Sequence, residues 1–222
     1  MIVANNVGLF YPDGTEALKA FDFHIDKGEL VFITGPSGSG KTSLLKLIMG
    51  MEFPTQGTFR VLGENIESDN SDKIQRIRRM MGPVFQEFRL LEGRTVLENV
   101  MLGMRFLDLP LHVIKNNAME SIERVGLGHK LKHTVDRLSW GECQRVSIAR
   151  AVARKPVLII ADEPTGNLDK ENAINILDLL TSFTDTDTTV IITTHATHLI
   201  EDKQCGVFIK MNAGEMLIER RI

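Results

Sequence analysis

Residues 30–42 read LVFITGPSGSGKT, and this segment gives the clearest indication of the fold class. The segment begins with a continuous apolar run, LVFIT, which is typical of a strand buried on both faces of a sheet. A glycine- and serine-rich loop follows at residues 35–40, and residues 42–49 then have apolar side chains at helical spacing. The order strand, loop, helix indicates an α/β fold with a mainly parallel sheet.

The loop itself fits the pattern G-x-x-x-x-G-K-[ST], which binds nucleotide phosphates. Small residues let successive backbone N–H groups converge on a phosphate, beside a helix N-terminus that favours anions. Lys41 supplies a positive charge for the β- and γ-phosphates, and the Thr42 hydroxyl can ligate Mg²⁺. The predicted ATP-binding residues of this segment are Gly35, Pro36, Ser37, Gly38, Ser39, Gly40, Lys41, Thr42 and Ser43.

A second apolar strand, at residues 157–161, ends in the two acids Asp162 and Glu163. An acid at the carboxyl end of a strand in a parallel sheet is expected beside the phosphate loop. Asp162 can hold Mg²⁺ through water, and Glu163 can polarise an attacking water molecule. The two motifs together predict a P-loop NTPase and leave its subfamily open.

Strand and helix patterns alternate through the rest of the chain, apart from residues 88–155. In that region helical periodicity dominates, which predicts a mostly helical insert. We therefore predict one domain, in which residues 1–87 and 156–222 form the α/β core and residues 88–155 a helical subdomain. The other predicted elements are strands at residues 2–11, 17–26, 82–85 and 189–194, a helix at 171–183 and a hairpin at 206–220 that turns at 212–214.

The composition of the 222 residues is that of an ordinary globular protein with a net charge of −3, which gives no indication of nucleic-acid binding. The basic run RIRR at residues 76–79 is interpreted as a solvated helix face. Two cysteines, Cys143 and Cys205, form neither a disulfide framework nor a metal cluster, and we expect a reducing, cytosolic compartment. No apolar run approaches the roughly 20 residues that span a bilayer.

Residues 138–145 read LSWGECQR, which resembles the signature sequence of ATP-binding cassette (ABC) ATPases, usually LSGGQ or LSGGEQQR. Four more residues match motifs of that family in the expected order. Gln86 resembles its Q-loop glutamine, Asp169 in GNLD its D-loop aspartate, and His195 its switch histidine. Tyr11 lies where the family keeps an aromatic ring that stacks on adenine, although a core aromatic at the end of a strand is the alternative interpretation.

This resemblance implies a P-loop NTPase with a mainly parallel sheet, an N-terminal antiparallel β portion and a helical subdomain that carries the signature. It also implies a head-to-tail homodimer with Mg·ATP between one subunit's phosphate loop and the other's signature. The implied catalytic residues are Glu163 as general base, His195 and Gln86, and the implied metal ligands are Thr42, Gln86 and Asp162. The signature residues that act on the partner's nucleotide are Ser139, Gly141 and Glu142. Asp169 links the two sites.

The sequence departs from the family pattern at Trp140, which stands where the signature normally has glycine and is the one tryptophan of the chain. An indole there could crowd the approach to phosphate, so we expect slower hydrolysis than in a Trp140→Gly variant. The alternative is that Trp140 points away from the nucleotide into the dimer seam. Cys143 stands where the related pattern has glutamine, and a simple replacement by a small residue is the favoured interpretation.

Three classes of protein are compared as alternatives: the ATPase of a membrane complex, a soluble cassette protein of DNA repair or translation, and a P-loop kinase or GTPase. The signature and D-loop argue against the third class. The second class usually has two cassettes, coiled-coil arms or zinc cysteines, which this sequence lacks. Apolar residues after Gln86 fit a groove that in the family receives a short cytoplasmic permease helix, although many of them must fill the core of the insert.

Within the family, ADEPTGNLD at residues 161–169 resembles the FtsE/LolD/MacB branch, and RLLEGRTV at residues 89–96 looks closest to FtsE. This resemblance implies a separate integral-membrane partner of the FtsX type, a role in cell division and a place at the cytoplasmic face of the cell membrane. A lipoprotein-releasing system like LolD, or an export system like MacB, is the alternative. No nucleic-acid partner is expected.

Overall fold

The computed structural model describes residues 1–221. Along the chain it contains β1 (Ile2–Phe10), β2 (Glu16–Ile25), β3 (Leu30–Thr34), α1 (Lys41–Ile48), β4 (Gln56–Val61), β5 (Glu64–Asn65), α2 (Ser71–Arg79), β6 (Met81–Val84), α3 (Val96–Leu102), α4 (Leu111–Arg124), α5 (Trp140–Val152), β7 (Leu158–Ala161), α6 (Lys170–Thr181), β8 (Thr189–Thr194), β9 (Gly206–Asn212) and β10 (Glu215–Arg221).

The contacts within the chain divide it into two compact units. The first unit contains Met1–Arg79 together with the chain from Thr184 onward, and the second unit is Met80–Phe183. The predicted helical segment, residues 88–155, lies inside the second unit. Its assignment as a separate subdomain, and the predicted division of the core, stay predictions.

An antiparallel sheet in the first unit has the strand order β2-β1-β4-β5. Side chains alternate across it, so that Ile2 and Ala4 are buried while Val3 is exposed. The pairing of β1 with β2 is interrupted after Ala4, where Asn6 has a positive φ of 50° and its N–H donates to Asp22 Oδ1 at 2.7 Å. This sheet is the antiparallel β portion expected near the N-terminus.

The parallel strands of the first unit are β8, β3 and β9, with β3 between the other two, and β10 pairs antiparallel with β9. The central residues of β3, from Val31 to Ile33, have no exposed surface, as expected for a strand covered on both faces. Each large apolar side chain buried in this way contributes about 1.5–3 kcal/mol. These strands confirm the predicted mainly parallel α/β fold.

The second unit combines the parallel pair β6-β7 with four helices. The helix α3 packs on both α4 and α5. Val96 and Val100 of this helix are buried, and so is Met104, which follows it. Part of the apolar segment after Gln86 therefore forms the interior of this unit, whereas Leu91 is 51% exposed. Among the described residues, no helix combines the length and the hydrophobicity needed to cross a bilayer.

Two strands of the first unit had no sequence prediction, β4 and β5, and α2 was predicted only at the RIRR run. The strands β4 and β5 are joined by Leu62 and Gly63, which both have positive φ, as a tight two-residue hairpin turn requires. The RIRR run forms the end of α2, where Arg78 donates hydrogen bonds to the carbonyls of Met49 and Gly50. The predicted helical conformation of this run is therefore present.

Candidate functional site

The phosphate loop occupies residues 35–40 of the first unit, between β3 and α1. Two of its glycines are sterically required. A Cβ on Gly35 would lie 2.3 Å from the Met211 carbonyl oxygen, and one on Gly40 would lie 2.6 Å from that of Ala17. Both glycines also have positive φ, 151° and 101°, which side-chain-bearing residues rarely adopt. The loop can therefore follow this path only with glycine at these two positions.

The chemistry of the loop is that of an anion site. The helix α1 begins at Lys41 without a side-chain cap and without an acidic residue in its first turn. Lys41 Nζ donates to the carbonyl oxygens of Gly35 at 2.8 Å and Pro36 at 3.1 Å, which holds its charge above the loop. The hydroxyl of Ser39 is buried without a hydrogen-bond partner among the described residues. A buried hydroxyl without a partner destabilises the fold by about 1–3 kcal/mol unless a ligand or a water molecule forms a hydrogen bond with it. An unpaired hydroxyl at this position therefore fits a phosphate site.

Tyr11 follows β1 and is half-buried beside the helix α1. Its hydroxyl lies 3.1 Å from Ser43 Oγ, and Lys46 Nζ lies 6.0 Å from the centre of its ring. These contacts place the ring next to the first turns of the helix that follows the phosphate loop. The stacking of this ring on adenine stays a prediction.

His195 directly follows β8 in the first unit, as predicted, and its side chain is exposed. Its carbonyl oxygen accepts a hydrogen bond from Thr197 N–H at 3.1 Å, and Ala196 N–H donates to Thr194 Oγ1 at 3.0 Å. These bonds form a tight turn at the carboxyl end of the strand. The turn holds the backbone of the predicted switch histidine in place.

Gln86 and the two acids belong to the second unit, at the carboxyl ends of β6 and β7. The two strands are in register at Val84 and Ala161, and the Asp162 N–H donates to the Val84 carbonyl at 2.9 Å. Gln86 Nε2 lies 3.6 Å from where a Cβ on Gly166 would be. The structure therefore brings together the predicted Q-loop residue and the turn after the acidic strand.

Glu163 has a positive φ of 44°, an uncommon conformation for a residue other than glycine. The turn is closed by Gly166 N–H, which donates to the Glu163 carbonyl at 3.2 Å. Such backbone strain costs about 1–3 kcal/mol and concentrates at functional sites, where it fixes a side chain in place. The Glu163 residue is half-buried.

The signature segment forms the first turn of α5, with Ser139 as its N-cap. Ser139 Oγ accepts from the Glu142 N–H at 3.3 Å, and the Ser139 N–H donates to Glu142 Oε2 at 3.0 Å. Lys130 forms a salt bridge with Glu142, and this bond, followed by the Ser139 N–H, lowers the pKa of the Glu142 carboxyl. Glu142 is therefore an anion that orients Ser139, while the Ser139 hydroxyl proton stays available to a further acceptor.

The predicted D-loop residue lies beside the signature. Asp169 caps α6, accepting from the Asn172 N–H at 2.9 Å and from its side-chain amide at 2.6 Å. The backbone N–H of Asn172 is the main cause of the lowered pKa of the Asp169 carboxyl. A Cβ on the buried Gly141 would lie 3.5 Å from Asn172 Oδ1. The N-termini of α5 and α6 therefore meet at Gly141 and Asn172.

Trp140 is the first residue of α5, and its side chain is 59% exposed. The indole lies edge-on to the Phe88 ring, with 5.0 Å between ring centres and an interplanar angle of 63°. Sequence reasoning missed this contact, because no local pattern connects residues 52 positions apart. It also missed the half-buried Arg150, which donates to the carbonyls of Phe88 at 2.6 Å and Arg89 at 2.5 Å.

Cys143 lies one turn into α5 and is half-buried. Its Sγ is 3.8 Å from the Val135 carbonyl oxygen. Burial, and then the charges of Glu142 and Asp136, raise the pKa of this thiol. A neutral thiol packed in this way fits the interpretation of Cys143 as a small structural residue.

Comparisons with known proteins show the family to which the chain belongs. A family model described as ABC transporter matches residues 18–166. The cell division ATP-binding protein FtsE of Mycobacterium tuberculosis is 38% identical over 218 residues, which are 98% of this chain and 94% of that protein. The FtsE of Haemophilus influenzae is 42% identical over 204 residues, which are 91% of this chain and 94% of that protein.

Solved structures of ATP-binding cassettes share the fold. A dimeric cassette in a post-hydrolysis state, bound to ADP and Pi, is 33% identical with a TM-score of 0.86, covering 99% of this chain and 98% of its own. A dimeric bacterial ABC transporter cassette is 34% identical with a TM-score of 0.87 and the same coverage. The family model matches more than half of the 222 residues. The chain therefore belongs to the ABC transporter family, as an ATP-binding subunit that hydrolyses ATP.

Proposed function

We propose that this ATPase powers a membrane complex of cell division, together with a separate integral-membrane permease of the FtsX type. The observation that carries this proposal is the 38–42% identity, over at least 90% of the chain, to proteins named cell division ATP-binding protein FtsE. In this role the subunit works at the cytoplasmic face of the cell membrane, where the permease holds it.

In the proposed reaction, the backbone N–H groups of the loop at residues 35–40 hold the β-phosphate. Lys41 exchanges the carbonyls of Gly35 and Pro36 for the β- and γ-phosphate oxygens, which are stronger acceptors because they are charged. The buried Ser39 hydroxyl gains the acceptor that the protein does not supply. Tyr11 stacks on the adenine ring.

A divalent cation fits the oxygen donors of this chain. Thr42, Asp162 and Gln86 offer a hydroxyl, a carboxylate and an amide oxygen, the hard donors that Mg²⁺ takes together with substrate phosphates. When bound, Mg²⁺ neutralises the charge that develops on the β- and γ-phosphate oxygens. Asp162 contributes the one formal negative charge of this donor set.

Glu163 accepts a proton from the attacking water, which makes that water a better nucleophile. The closed turn after β7 fixes the backbone of Glu163. His195 contacts the γ-phosphate and the water, and Gln86 reports the state of the site to the segment that follows it. The reaction class is therefore general-base hydrolysis of the β–γ phosphoanhydride bond.

A second copy of the chain completes the reaction in this proposal. The Ser139 hydroxyl and the Gly141 N–H donate to the γ-phosphate of a nucleotide held by the other subunit, at the N-terminus of α5. Glu142 and Lys130 orient Ser139 for this contact. Asp169 connects the signature of one subunit to the site of the other. Loss of the γ-phosphate removes these contacts, so hydrolysis favours separation of the dimer.

The experiment that tests the proposed role uses a tagged Glu163→Gln variant, expressed in the native host and recovered with ATP from solubilised membranes. Removing the base traps the ATP-bound dimer on its partner, which mass spectrometry identifies. We expect an FtsX-like permease together with septal proteins, and the same preparation without ATP is the control. Recovery of a lipoprotein-releasing or efflux permease, or of no membrane protein, would contradict the cell-division role.

A further inference from the structure

The turn of the C-terminal hairpin lies directly against the phosphate loop. The strands β9 and β10 are joined by Ala213 and Gly214, which have positive φ of 45° and 79°, and we name residues 212–214 the hairpin turn. Gly214 is buried, and its N–H donates to the Ser39 carbonyl oxygen at 3.2 Å. Both segments belong to the first unit. A segment outside all of the nucleotide motifs therefore forms a hydrogen bond to the loop that is predicted to hold phosphate.

The hairpin turn is also fixed on its other side, to β2. The Lys19 N–H donates to the Gly214 carbonyl oxygen at 3.0 Å, and Lys19 Nζ forms a salt bridge of 2.8 Å with Glu215 Oε1. The buried Met211 precedes the turn, and its methyl carbon would lie 3.2 Å from a Cβ on Gly40. Gly214 therefore joins β2 to the phosphate loop through its carbonyl and its N–H.

The hydrogen bond to Ser39 sets the direction of the next N–H group. The Ser39 carbonyl and the Gly40 N–H belong to one trans peptide, which is planar, so they point in opposite directions. Because the carbonyl points to the hairpin turn, the Gly40 N–H points away from it. Within residues 1–221 this N–H has no acceptor, and neither has the buried Ser39 hydroxyl. Two donors without acceptors at adjacent residues are suited to an anion.

Gly40 makes an external support for this peptide necessary. Glycine adopts positive and negative φ about equally readily, so the peptide before Gly40 can rotate at little steric cost. The loop has a hydrogen bond of its own, from the Ser39 N–H to the Pro36 carbonyl at 3.2 Å, but it acts on the preceding peptide. Among the described residues, the Ser39 carbonyl accepts a backbone hydrogen bond only from Gly214. The orientation of the Gly40 N–H therefore depends on the hairpin turn.

We propose that the hairpin turn positions the phosphate loop for ATP, with Gly214 as the positioning residue. Its N–H holds the peptide between Ser39 and Gly40 so that the Gly40 N–H is directed toward the β-phosphate before nucleotide binds. This inference rests on the phosphate-binding role proposed for the loop. A loop that is oriented in advance loses less conformational freedom on binding, so the turn raises the affinity for ATP. The chemical step takes place at other residues, so kcat does not depend on Gly214.

Replacement of one backbone group tests this hydrogen bond. Cys205 precedes the hairpin, so a synthetic peptide that begins at this residue can be ligated to a thioester of residues 1–204. In the peptide, glycolic acid replaces Gly214, which exchanges the N–H for an ester oxygen and leaves no donor for Ser39. Lactic acid in place of Ala213 is the matched control, because that N–H has no acceptor within residues 1–221. The full-length chain ligated from the unmodified peptide is the reference.

The two kinetic constants separate positioning from a general loss of structure. With the ester at position 214, we expect the KM for ATP to rise about three- to tenfold, as the loss of one backbone hydrogen bond predicts. We expect kcat at saturating ATP to stay within about twofold, because the lost interaction acts on binding and not on the chemical step. The ester at position 213 should leave both constants at the reference values. Urea unfolding without nucleotide verifies that all three chains are folded.

A pair of glycine substitutions provides a genetic test. Gly214→Ala adds a Cβ that would lie 3.2 Å from both the Ala17 carbonyl oxygen and the Lys19 nitrogen, so the turn must move. Gly63→Ala is the matched control, because Gly63 also has a positive φ, 85°, in a hairpin turn, and nothing lies within 4 Å of its Cβ position. We expect the KM for ATP to be at least about threefold higher in Gly214→Ala than in Gly63→Ala.

The outcomes distinguish the turn from the loop that it supports. A KM that is unchanged by the ester at position 214, or raised equally by the ester at position 213, would overturn this inference alone. Lys41→Ala in the otherwise native chain tests the underlying role of the loop, and we expect it to weaken ATP binding. If Lys41→Ala binds ATP as tightly as the native protein, the phosphate-binding role fails and this inference fails with it.

Discussion

At the start of α5, three consecutive residues make contacts of different kinds. Ser139 caps the helix and is oriented by Glu142. Trp140 is mostly exposed and lies against Phe88. Gly141 is buried beside Asn172. The indole therefore lies between two residues that are predicted to approach phosphate, and its effect on that approach stays a prediction.

Trp140 is expected to slow ATP hydrolysis. We expect the purified Trp140→Gly variant to hydrolyse Mg·ATP faster than the native protein, because removing the indole relieves crowding at the signature. A crowding cost of about 1 kcal/mol corresponds to roughly a fivefold change in rate. Phosphate release at saturating ATP measures it, and Trp140→Phe is the size control. Equal or faster turnover in the native protein would mean that the indole points away from the nucleotide.

Tyr11 offers a test of adenine binding. Stacking of a base on an aromatic side chain is worth about 1–3 kcal/mol. Tyr11→Ala should therefore weaken ATP affinity by roughly 5- to 150-fold, whereas Tyr11→Phe keeps the ring and loses only the contact with Ser43. Equilibrium binding of a fluorescent ATP analogue distinguishes the two variants. Equal affinity in Tyr11→Ala would show that this ring belongs to the core only.

The two thiols should differ in reactivity. Burial raises the pKa of the Cys143 thiol, so less of the nucleophilic thiolate forms at a given pH, whereas Cys205 is exposed. We expect iodoacetamide at pH 8 to label Cys143 several times more slowly than Cys205, as followed by peptide mass spectrometry. Denaturation in urea should abolish the difference. Faster labelling of Cys143 in the folded protein would reveal an activated thiol.

The helix α5 begins with a charged capping box at Ser139 and Glu142. The pKa of the Glu142 carboxyl lies below its usual 4.5, with the hydrogen bond from Lys130 as the main cause and the Ser139 N–H as the second. A carboxyl whose pKa is lowered by folding stabilises the fold above its ordinary pKa. This contribution is lost as the pH falls through the pKa of the folded protein.

The native protein should be more stable than the Glu142→Gln variant, which keeps a hydrogen-bonding cap and removes the charge. Urea unfolding should give the native protein an advantage of up to about 1 kcal/mol at pH 7, which shrinks as the pH is lowered below 4.5. The variant Lys130→Met should reduce the same advantage. An advantage that is independent of pH would contradict an ionic origin.

Elements with strong local patterns could be predicted from the sequence, and those that depend on distant pairing could not. The apolar run of β3 and the turn at Ala213 and Gly214 are visible locally, and the structure has both. The hairpin of β4 and β5 was missed because Leu62 occupies a positive-φ position that usually signals itself with Asn, Asp or Gly. In β4, pairing with β1 outweighs the weak local preference.

The fold class of the molecule could be predicted from the sequence, whereas the contacts that support the motifs could not. Gln86 and Asp162 each follow a strand, as predicted, and the structure shows that these two strands pair in parallel. The Arg150 side chain donates hydrogen bonds to the carbonyls of Arg89 and Phe88, which lie 61 and 62 positions earlier in the chain. No periodic pattern in the sequence connects residues so far apart. The roles of the motif residues at the nucleotide remain predictions. Formation of the ATP-bound dimer is the property by which they can be tested.

We therefore predict that Glu163→Gln forms a stable dimer only with Mg·ATP, at about twice the 24.9 kDa of one chain. Loss of the base should lower turnover by about 10²- to 10⁴-fold while nucleotide binding persists. Size-exclusion chromatography with light scattering measures the mass, and phosphate release measures the turnover. Removal of Mg²⁺ with EDTA should return the monomer. A dimer that survives EDTA, or a monomer with Mg·ATP, would contradict the proposed assembly.

The position of Trp140 also gives the protein a built-in optical probe. Because it is the sole tryptophan and is 59% exposed beside Phe88, all indole emission comes from the first turn of α5. Closure of a second subunit over this turn would shift that emission to shorter wavelength and shield it from iodide quenching. Stopped-flow fluorescence of the unlabelled protein can therefore time association and release within a single catalytic cycle.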